Sequence, residues 1–203
     1  ERVRHQLKLT DYLRIDHFRG LESYWAVPAE EETAMNGEWV KAPGKALFET
    51  IERELGKGLP IIAEDLGIIT PEVEELRDHF GFPGMKILQF AFDTEEESLF
   101  LPHQLTTTNC VCYTGTHDNN TTRGWYNRAS EYSRDKVRRY MNTDANSIHW
   151  DFLRTCLGTI AAYAIIPMQD VLGLGEEGRM NVPGVAQNNW AWRYKKEAIS
   201  DGL

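Results

Sequence analysis

The sequence has few of the features that mark nucleic-acid binding or membrane insertion. Its 203 residues include 22 lysines and arginines against 31 aspartates and glutamates, which gives a net charge of −9. Such a chain has no basic stripe to neutralise phosphates, so we expect no nucleic-acid partner. No apolar run reaches the ~18 residues that a membrane-spanning helix needs, so we expect no membrane partner either. The composition suits an uncharged ligand such as a polysaccharide.

Cysteine is also scarce. The three cysteines are Cys110, Cys112 and Cys156, an odd number, and the first two alternate along a strand-like run. We interpret them as buried thiols in a reducing compartment. A metal site would need more Cys or His residues at ligand spacing, so no metal and no cofactor are predicted.

Two catalytic signatures are absent or unconvincing. A Gly-x-Ser-x-Gly elbow is missing, which argues against a Ser-His-Asp hydrolase. Residues 173–178 match Gly-x-Gly-x-x-Gly, but Glu176 and Glu177 lie inside the match and no strand–helix–strand unit follows it. We therefore interpret this segment as a loop rather than a phosphate-binding turn.

What the chain does contain is an alternation of strand-like and helical segments. Strands rich in apolar or β-branched residues are expected near 12–18, 59–64, 85–92, 109–116 and 163–169. Helices are expected over 46–55, from Pro71 onward, over 131–141 and over 151–162, and residues 2–9 resemble the end of a helix. This alternation predicts an α/β fold with a parallel sheet. Five strands fit either part of a (β/α)8 barrel, which usually takes ~250 residues, or a complete doubly wound domain.

Three of these strands end in a carboxylate, namely Asp16, Glu64 and Asp118. Active sites of α/β folds lie at the carboxyl ends of parallel strands, so we expect these side chains to share one rim. Paired carboxylates at such a rim are what the cleavage of glycosidic bonds requires.

The neighbouring residues suggest which chemical role each carboxylate has. Arg14 lies on the same strand face as Asp16 and would keep it ionised, as a nucleophile must be, although a structural ion pair is the alternative. Glu64 follows an apolar run, which disfavours its charged form and suits a general acid. Its neighbour Asp65 should point the other way and support the structure. His117 beside Asp118 suits the binding of sugar hydroxyls.

Seven stretches of the chain resemble the amylomaltases or disproportionating enzymes, the 4-α-glucanotransferases of glycoside hydrolase family 77. They are residues 14–20, 24–29, 62–67, 81–86, 116–119, 167–173 and 179–184. Arg-x-Asp and His-Asp alone would indicate only the wider α-amylase superfamily. The stretches Gly81-Phe82-Pro83-Gly84-Met85-Lys86 and Met180-Asn181-Val182-Pro183-Gly184 are more specific to this family.

The resemblance implies the C-terminal part of a single (β/α)8 barrel over residues 1–203, with about strands four to eight. It implies Asp16 as nucleophile, Glu64 as acid/base and Asp118 as stabiliser of the transition state. Arg14, His17, His117, Asn119 and Trp25 would bind substrate. Trp39, Trp125, Trp190 and Trp192 are further stacking candidates.

The expected partners are a maltodextrin donor and acceptor, together with the N-terminal part of the barrel or a second copy of the chain. The expected location is the cytoplasm, or a plastid if the source is a plant. Two other functions remain open, an α-glucan hydrolase of the amylase type and an inactive glucan-binding fragment. We therefore expect an isolated fragment to have far less activity than a chain that carries the other strands.

Overall fold

The computed structural model describes residues 1–94 and 98–199. The chain forms two compact units, Glu1–Met85 and Lys86–Leu203, which are described in turn. In the part of the chain that the structure describes, no helix is long and apolar enough to cross a membrane. The same residues contain no group of three or more His, Cys, Asp or Glu side chains placed to hold a metal ion.

The first unit contains a parallel strand pair, an antiparallel hairpin and three helices. Its strands are β1 (Leu13–Ile15), β2 (Ser23–Ala26), β3 (Glu38–Lys41) and β4 (Ile61–Ala63), and its helices are α1 (Arg2–Gln6), α2 (Gly44–Leu55) and α3 (Pro71–His79). Strands β1 and β4 pair in parallel, and β2 pairs with β3 in antiparallel. A short 3-10 helix, Phe18–Leu21, follows β1.

The core of this unit is aromatic. Phe18, Phe48, Phe80 and Phe82 contact one another with ring centroids 5.0–6.2 Å apart. They form one core with the apolar β4, and Phe48 is the residue by which α2 joins it. Gly44, the first residue of α2, is required because a Cβ there would collide with the Leu21 carbonyl oxygen. This core fixes the positions at which β1 and β4 end.

The second unit contains two strands of a three-stranded sheet, and the first strand of that sheet, Gly84–Ile87, begins in the last two residues of the first unit. The sheet has the order β5 (Gly84–Ile87), β6 (Cys110–Tyr113) and β7 (Tyr163–Ile165), and β6 and β7 are parallel. Its helices are α4 (Thr122–Arg128), α5 (Glu131–Met141), α6 (Ile148–Leu157) and α7 (Met168–Val171), and short 3-10 helices occur at Leu88–Ala91, Pro102–Gln104, Glu176–Gly178 and Lys196–Ala198. Cys112 and Cys156 lie in the core with Phe92, Val137 and Phe152. All three cysteines are buried thiols, as predicted.

Several predicted boundaries were wrong, each for an identifiable reason. The strand expected over 85–92 ends at Ile87, because an apolar run does not distinguish a strand from the 3-10 helix that follows. The strand expected over 163–169 ends at Ile165, since Pro167 has no N–H and helix α7 begins at the next residue. The helix expected over 151–162 begins at Ile148 and ends before Gly158.

Other expectations were confirmed, and two elements were missed. Helix α5 has its predicted bounds, α2 ends at Gly56 and α3 starts at Pro71 after Thr70. The segment 173–178 is a loop that ends in a 3-10 turn. The β2–β3 hairpin and helix α4 were not predicted.

Candidate active site

Asp16 and Glu64 leave the first unit's parallel strand pair side by side. Ile15 of β1 lies opposite Ala63 of β4, so each carboxylate is the residue that follows a matched pair. The pairing continues past the strands, because the Glu64 N–H donates to the Ile15 carbonyl at 2.9 Å and the Phe18 N–H donates to the Glu64 carbonyl at 3.0 Å. Neighbouring strands lie about 4.8 Å apart, so the two backbones are at about that separation.

Arg14 holds Asp16 in place. Its Nη1 lies 2.8 Å from Asp16 Oδ1, which agrees with the expectation that both side chains occupy one face. Arg14 Nε lies 3.3 Å from the sulfur of Met85, and this contact fixes the guanidinium from the other side. The Asp16 side chain is 77% exposed, so the carboxylate is open to a ligand.

Two backbone N–H groups, one in the loop after β1 and one in the loop after β4, anchor the Glu64 carboxylate. The His17 N–H donates to Glu64 Oε2 at 2.7 Å, and the Leu66 N–H donates to Oε1 at 3.1 Å. These two donors fix the direction in which the Glu64 carboxylate points. His17 adopts a left-handed conformation (φ 49°, ψ 50°), which is uncommon outside glycine and is often found at functional sites. Its exposed ring lies against Gly20, where a Cβ would be 2.9 Å from the ring.

Asp65, next to Glu64, supports the structure as expected. It is buried, accepts the Met85 N–H at 2.7 Å and pairs with Arg77 Nη1 at 2.5 Å. A Cβ at Gly84 would lie 2.2 Å from its Oδ2, so only glycine fits there. These contacts hold the turn that presents Glu64.

Trp25 lies on the β2–β3 hairpin, opposite Trp39 in the strand register. The two rings meet edge to face with centroids 5.4 Å apart, and the Trp25 indole N–H donates to the Ala34 carbonyl at 2.8 Å. Arg19 stacks over Trp39 at 4.2 Å from the ring centroid. The two indoles are 39% and 55% exposed, so both retain ring surface for a ligand.

In the second unit, Asp118 lies in the loop between β6 and α4. Its Oδ2 is 3.4 Å from His117 Nε2, and the two side chains are about half exposed. Asn119 braces this loop, and its role as a substrate ligand stays a prediction. Its Oδ1 accepts both the N–H and the hydroxyl of Thr116 at 2.9 Å, which braces the loop.

Residues on the loop after the 3-10 helix Glu176–Gly178 complete the surroundings of Asp118. The Asn181 amide donates to Asp118 Oδ1 at 2.5 Å, and Arg179 donates to the Asp118 carbonyl at 2.8 Å. Trp190 lies beside His117 with ring centroids 5.1 Å apart. Arg179 and Asn181 belong to the family-specific stretch 179–184, but neither was predicted as a site residue. An Arg-x-Asn pair in a loop has no distinctive spacing that would indicate a role.

A polar cleft of about 540 Å³ opens beside Asp118. Its lining includes Asn119, Asp93, Trp125 and Arg128. Burial raises the pKa of Asp93, and a hydrogen bond from the Trp125 indole opposes that rise. Trp125 also contacts Phe152, so part of its ring is in the core. Asp93 was not predicted, because no motif surrounds it.

The first unit thus brings together four predicted site residues, Arg14, Asp16, His17 and Glu64, and the second brings together His117, Asp118 and Asn119. A meeting of Asp118 with the other two carboxylates stays a prediction. Within the first unit, a carboxylate beside an arginine and a second carboxylate after the neighbouring strand lie close together, and two nearby carboxylates are the groups that glycosidic cleavage with retention uses.

Comparison with known proteins is consistent with this chemistry. The family model described as 4-alpha-glucanotransferase (Glyco_hydro_77) matches residues 1–199. The chain is 53% identical over 204 residues to the 4-alpha-glucanotransferase of Synechocystis sp., covering 100% of this chain and 40% of that protein. It is 50% identical over 209 residues to the 4-alpha-glucanotransferase of Streptococcus pneumoniae, covering 100% of this chain and 41% of the relative.

The structure is similar to that of the amylomaltase from Streptococcus agalactiae in complex with acarbose. The TM-score is 0.93 at 40% identity, over 99% of this chain and 41% of that one. The chain therefore spans about two fifths of the length of the proteins that it matches.

Proposed function

Because this chain belongs to the 4-alpha-glucanotransferase family, glycoside hydrolase family 77, we propose that the protein of which it is part transfers α-1,4-glucan segments between maltodextrins. One observation carries the proposal. Asp16 and Glu64 follow a matched residue pair on neighbouring parallel strands, and the His17 N–H joins the loop after Asp16 to the Glu64 carboxylate at 2.7 Å. Adjacent strand ends suit a retaining pair, whose carboxyl groups stand about 5–5.5 Å apart.

In the first half-reaction, Asp16 attacks the anomeric carbon of the donor glucan. The glycosidic C–O bond breaks, Glu64 gives its proton to the departing oxygen, and a covalent glycosyl ester forms on Asp16. In the second, Glu64 takes the proton of an acceptor 4-hydroxyl, whose oxygen bonds to the anomeric carbon while the ester bond to Asp16 breaks. Arg14, 2.8 Å from Asp16 Oδ1, holds the carboxylate in position for this attack.

The second unit supplies the stabilising contacts in this proposal. Asp118, held by Asn181, accepts hydrogen bonds from hydroxyls of the sugar at the cleaved bond, and His117 contacts the same sugar. Asn119 shapes this loop through Thr116. Trp25 offers a stacking surface for a further glucosyl unit. The mechanism is complete with amino-acid side chains and assigns no step to a cofactor.

We extend the proposal to the fold and the partners. The TM-score of 0.93 to amylomaltase supports a (β/α)8 barrel in which residues 1–203 form the C-terminal part, with about strands four to eight. The remaining strands would provide the opposite wall of the substrate groove. Since that amylomaltase is found in complex with acarbose, we expect acarbose to compete with maltotriose here. A cytoplasmic or plastid location is part of the same proposal.

The test is the product ladder from maltotriose, made with a protein that contains this chain and the missing barrel strands. Transfer yields glucose together with maltodextrins longer than the substrate, whereas an amylase-type hydrolase yields only shorter sugars. An Asp16→Asn protein is the control for background activity. Only shorter products would replace the transferase assignment with the hydrolase, and no products at all would favour a glucan-binding protein.

A further inference from the structure

Asp170 is a buried carboxylate that the proposed mechanism does not use. It lies in the single turn of α7 and is 1% exposed. Its Oδ2 accepts the hydroxyls of Thr114 and Thr122 at 2.6 and 2.7 Å, and its Oδ1 accepts the Thr122 N–H at 2.7 Å. A buried carboxylate is costly unless it is well hydrogen-bonded, and here the bonds are short and come from neutral donors.

These three bonds join the two ends of one loop. Thr114 is the residue directly after β6, and Thr122 is the first residue of α4. The seven intervening residues include His117 and Asp118. Asp170 therefore fixes where this loop starts and where it ends, while the Arg179 and Asn181 contacts hold its tip.

We propose that Asp170 is a positioning residue for glucan transfer, which sets the placement of Asp118 through Thr114 and Thr122. The inference rests on the proposed function, in which Asp118 stabilises the transition state. A group that acts mainly in the transition state affects kcat when it is misplaced, while ground-state binding of substrate changes little. A displacement of about 1 Å in such a group can lower the rate by about 100-fold.

The test compares variants with maltotriose as substrate, in the complete protein. Asp170→Ala removes all three bonds and should lower kcat by about 10- to 100-fold, with KM changed less than about twofold. Asp170→Asn keeps the shape and can still accept the Thr122 N–H, so it should recover most of the lost kcat. Thr114→Val removes one bond at constant volume and should lower kcat by about two- to tenfold.

Asp151→Asn is the matched control. Asp151 accepts the Thr143 hydroxyl at 2.6 Å, the same type of contact, but at helix α6 rather than at the loop of Asp118. Rates are expressed per folded protein, measured by circular dichroism. A purely structural role would lower the folded fraction and leave kcat per folded molecule unchanged, as we expect for the control.

The outcomes separate the inference from the function on which it rests. If Asp118→Asn is inactive while Asp170→Ala keeps kcat within twofold of the unaltered protein, the positioning role is refuted and the proposed function stands. If Asp118→Asn is itself fully active, the proposed role of Asp118 is wrong. Should Asp170→Ala fail to fold, Thr114→Val decides, and an unchanged kcat in that folded variant also overturns the inference.

Discussion

The Arg77 ion pairs allow a sharp prediction about what holds the turn at Glu64. Arg77 contacts the buried Asp65 at 2.5 Å and the exposed Asp78 at 2.8 Å, and these carboxylate side chains are 3% and 62% exposed. Burial alone would lower the pKa of Arg77, but its hydrogen bonds to Asp78 and Asp65 outweigh this and raise it above the usual value. Removal of one carboxylate should therefore have very different effects from removal of the other.

Asp65→Asn places an amide against the guanidinium and leaves a partly buried arginine with one exposed partner. Breaking a buried pair costs about 3–5 kcal/mol, and because Asp78 remains we expect about 3 kcal/mol. Asp78→Asn, the same substitution against the same arginine, should cost less than about 1 kcal/mol, as exposed pairs do.

The assay is urea unfolding followed by circular dichroism. At a slope of about 3 kcal/mol/M, the expected loss for Asp65→Asn corresponds to a midpoint shift of about 1 M. A double variant that combines Asp65→Asn with Arg77→Met should lose less free energy of unfolding than the two single variants lose in sum, because both substitutions remove the same contact. Equal midpoint shifts for Asp65→Asn and Asp78→Asn would refute the reasoning.

Two further predictions concern the nucleophile and the pH dependence of stability. Asp16→Asn should abolish glucan transfer and leave the unfolding midpoint nearly unchanged. The control Asp11→Asn, an exposed substitution just before β1, should leave both the transfer rate and the midpoint unchanged. Near-normal turnover by Asp16→Asn would remove Asp16 from the mechanism. Burial raises the pKa of Glu22, but hydrogen bonds from Lys41 and Ser23 bring it below its usual value of 4.5. The Glu22–Lys41 pair therefore contributes to stability above about pH 4.5, and this contribution is lost as pH falls through the lowered pKa of Glu22. Lys41→Met should flatten this part of the pH–stability curve and Lys45→Met should not, and identical curves for the two variants would contradict the assignment.

Much of the architecture could be predicted because its signals are local. Apolar runs located the strands that end before Asp16, Glu64 and Asp118, and the side-chain alternation placed Arg14 beside Asp16. Two helix ends were also predicted from local residues, since Gly56 is the C-cap of α2 and Pro71 is the first residue of α3.

What could not be predicted depends on contacts between distant segments. The β2–β3 hairpin has short strands separated by residues 27–37, and it is stabilised by the cross-strand Trp25–Trp39 pair, which no local pattern reveals. Likewise, Asn181 reaches Asp118 across 63 positions of sequence. The two donors to Glu64 are backbone N–H groups, placed by the local backbone conformation, which includes the left-handed His17. Residue types alone do not predict such donors.

The formation of a glycosyl ester on Asp16, with Glu64 as acid/base, is the central step of the proposed mechanism. It is tested most directly by trapping that ester in a Glu64→Gln variant with α-maltosyl fluoride, because fluoride leaves without a proton and the second step then lacks its base. Trypsin cleaves after Arg14 and Arg19, so mass spectrometry should find one maltosyl group on the peptide 15–19, and none there when Asp16→Asn is added. A maltosyl group on any other peptide, with 15–19 unmodified, would contradict the account.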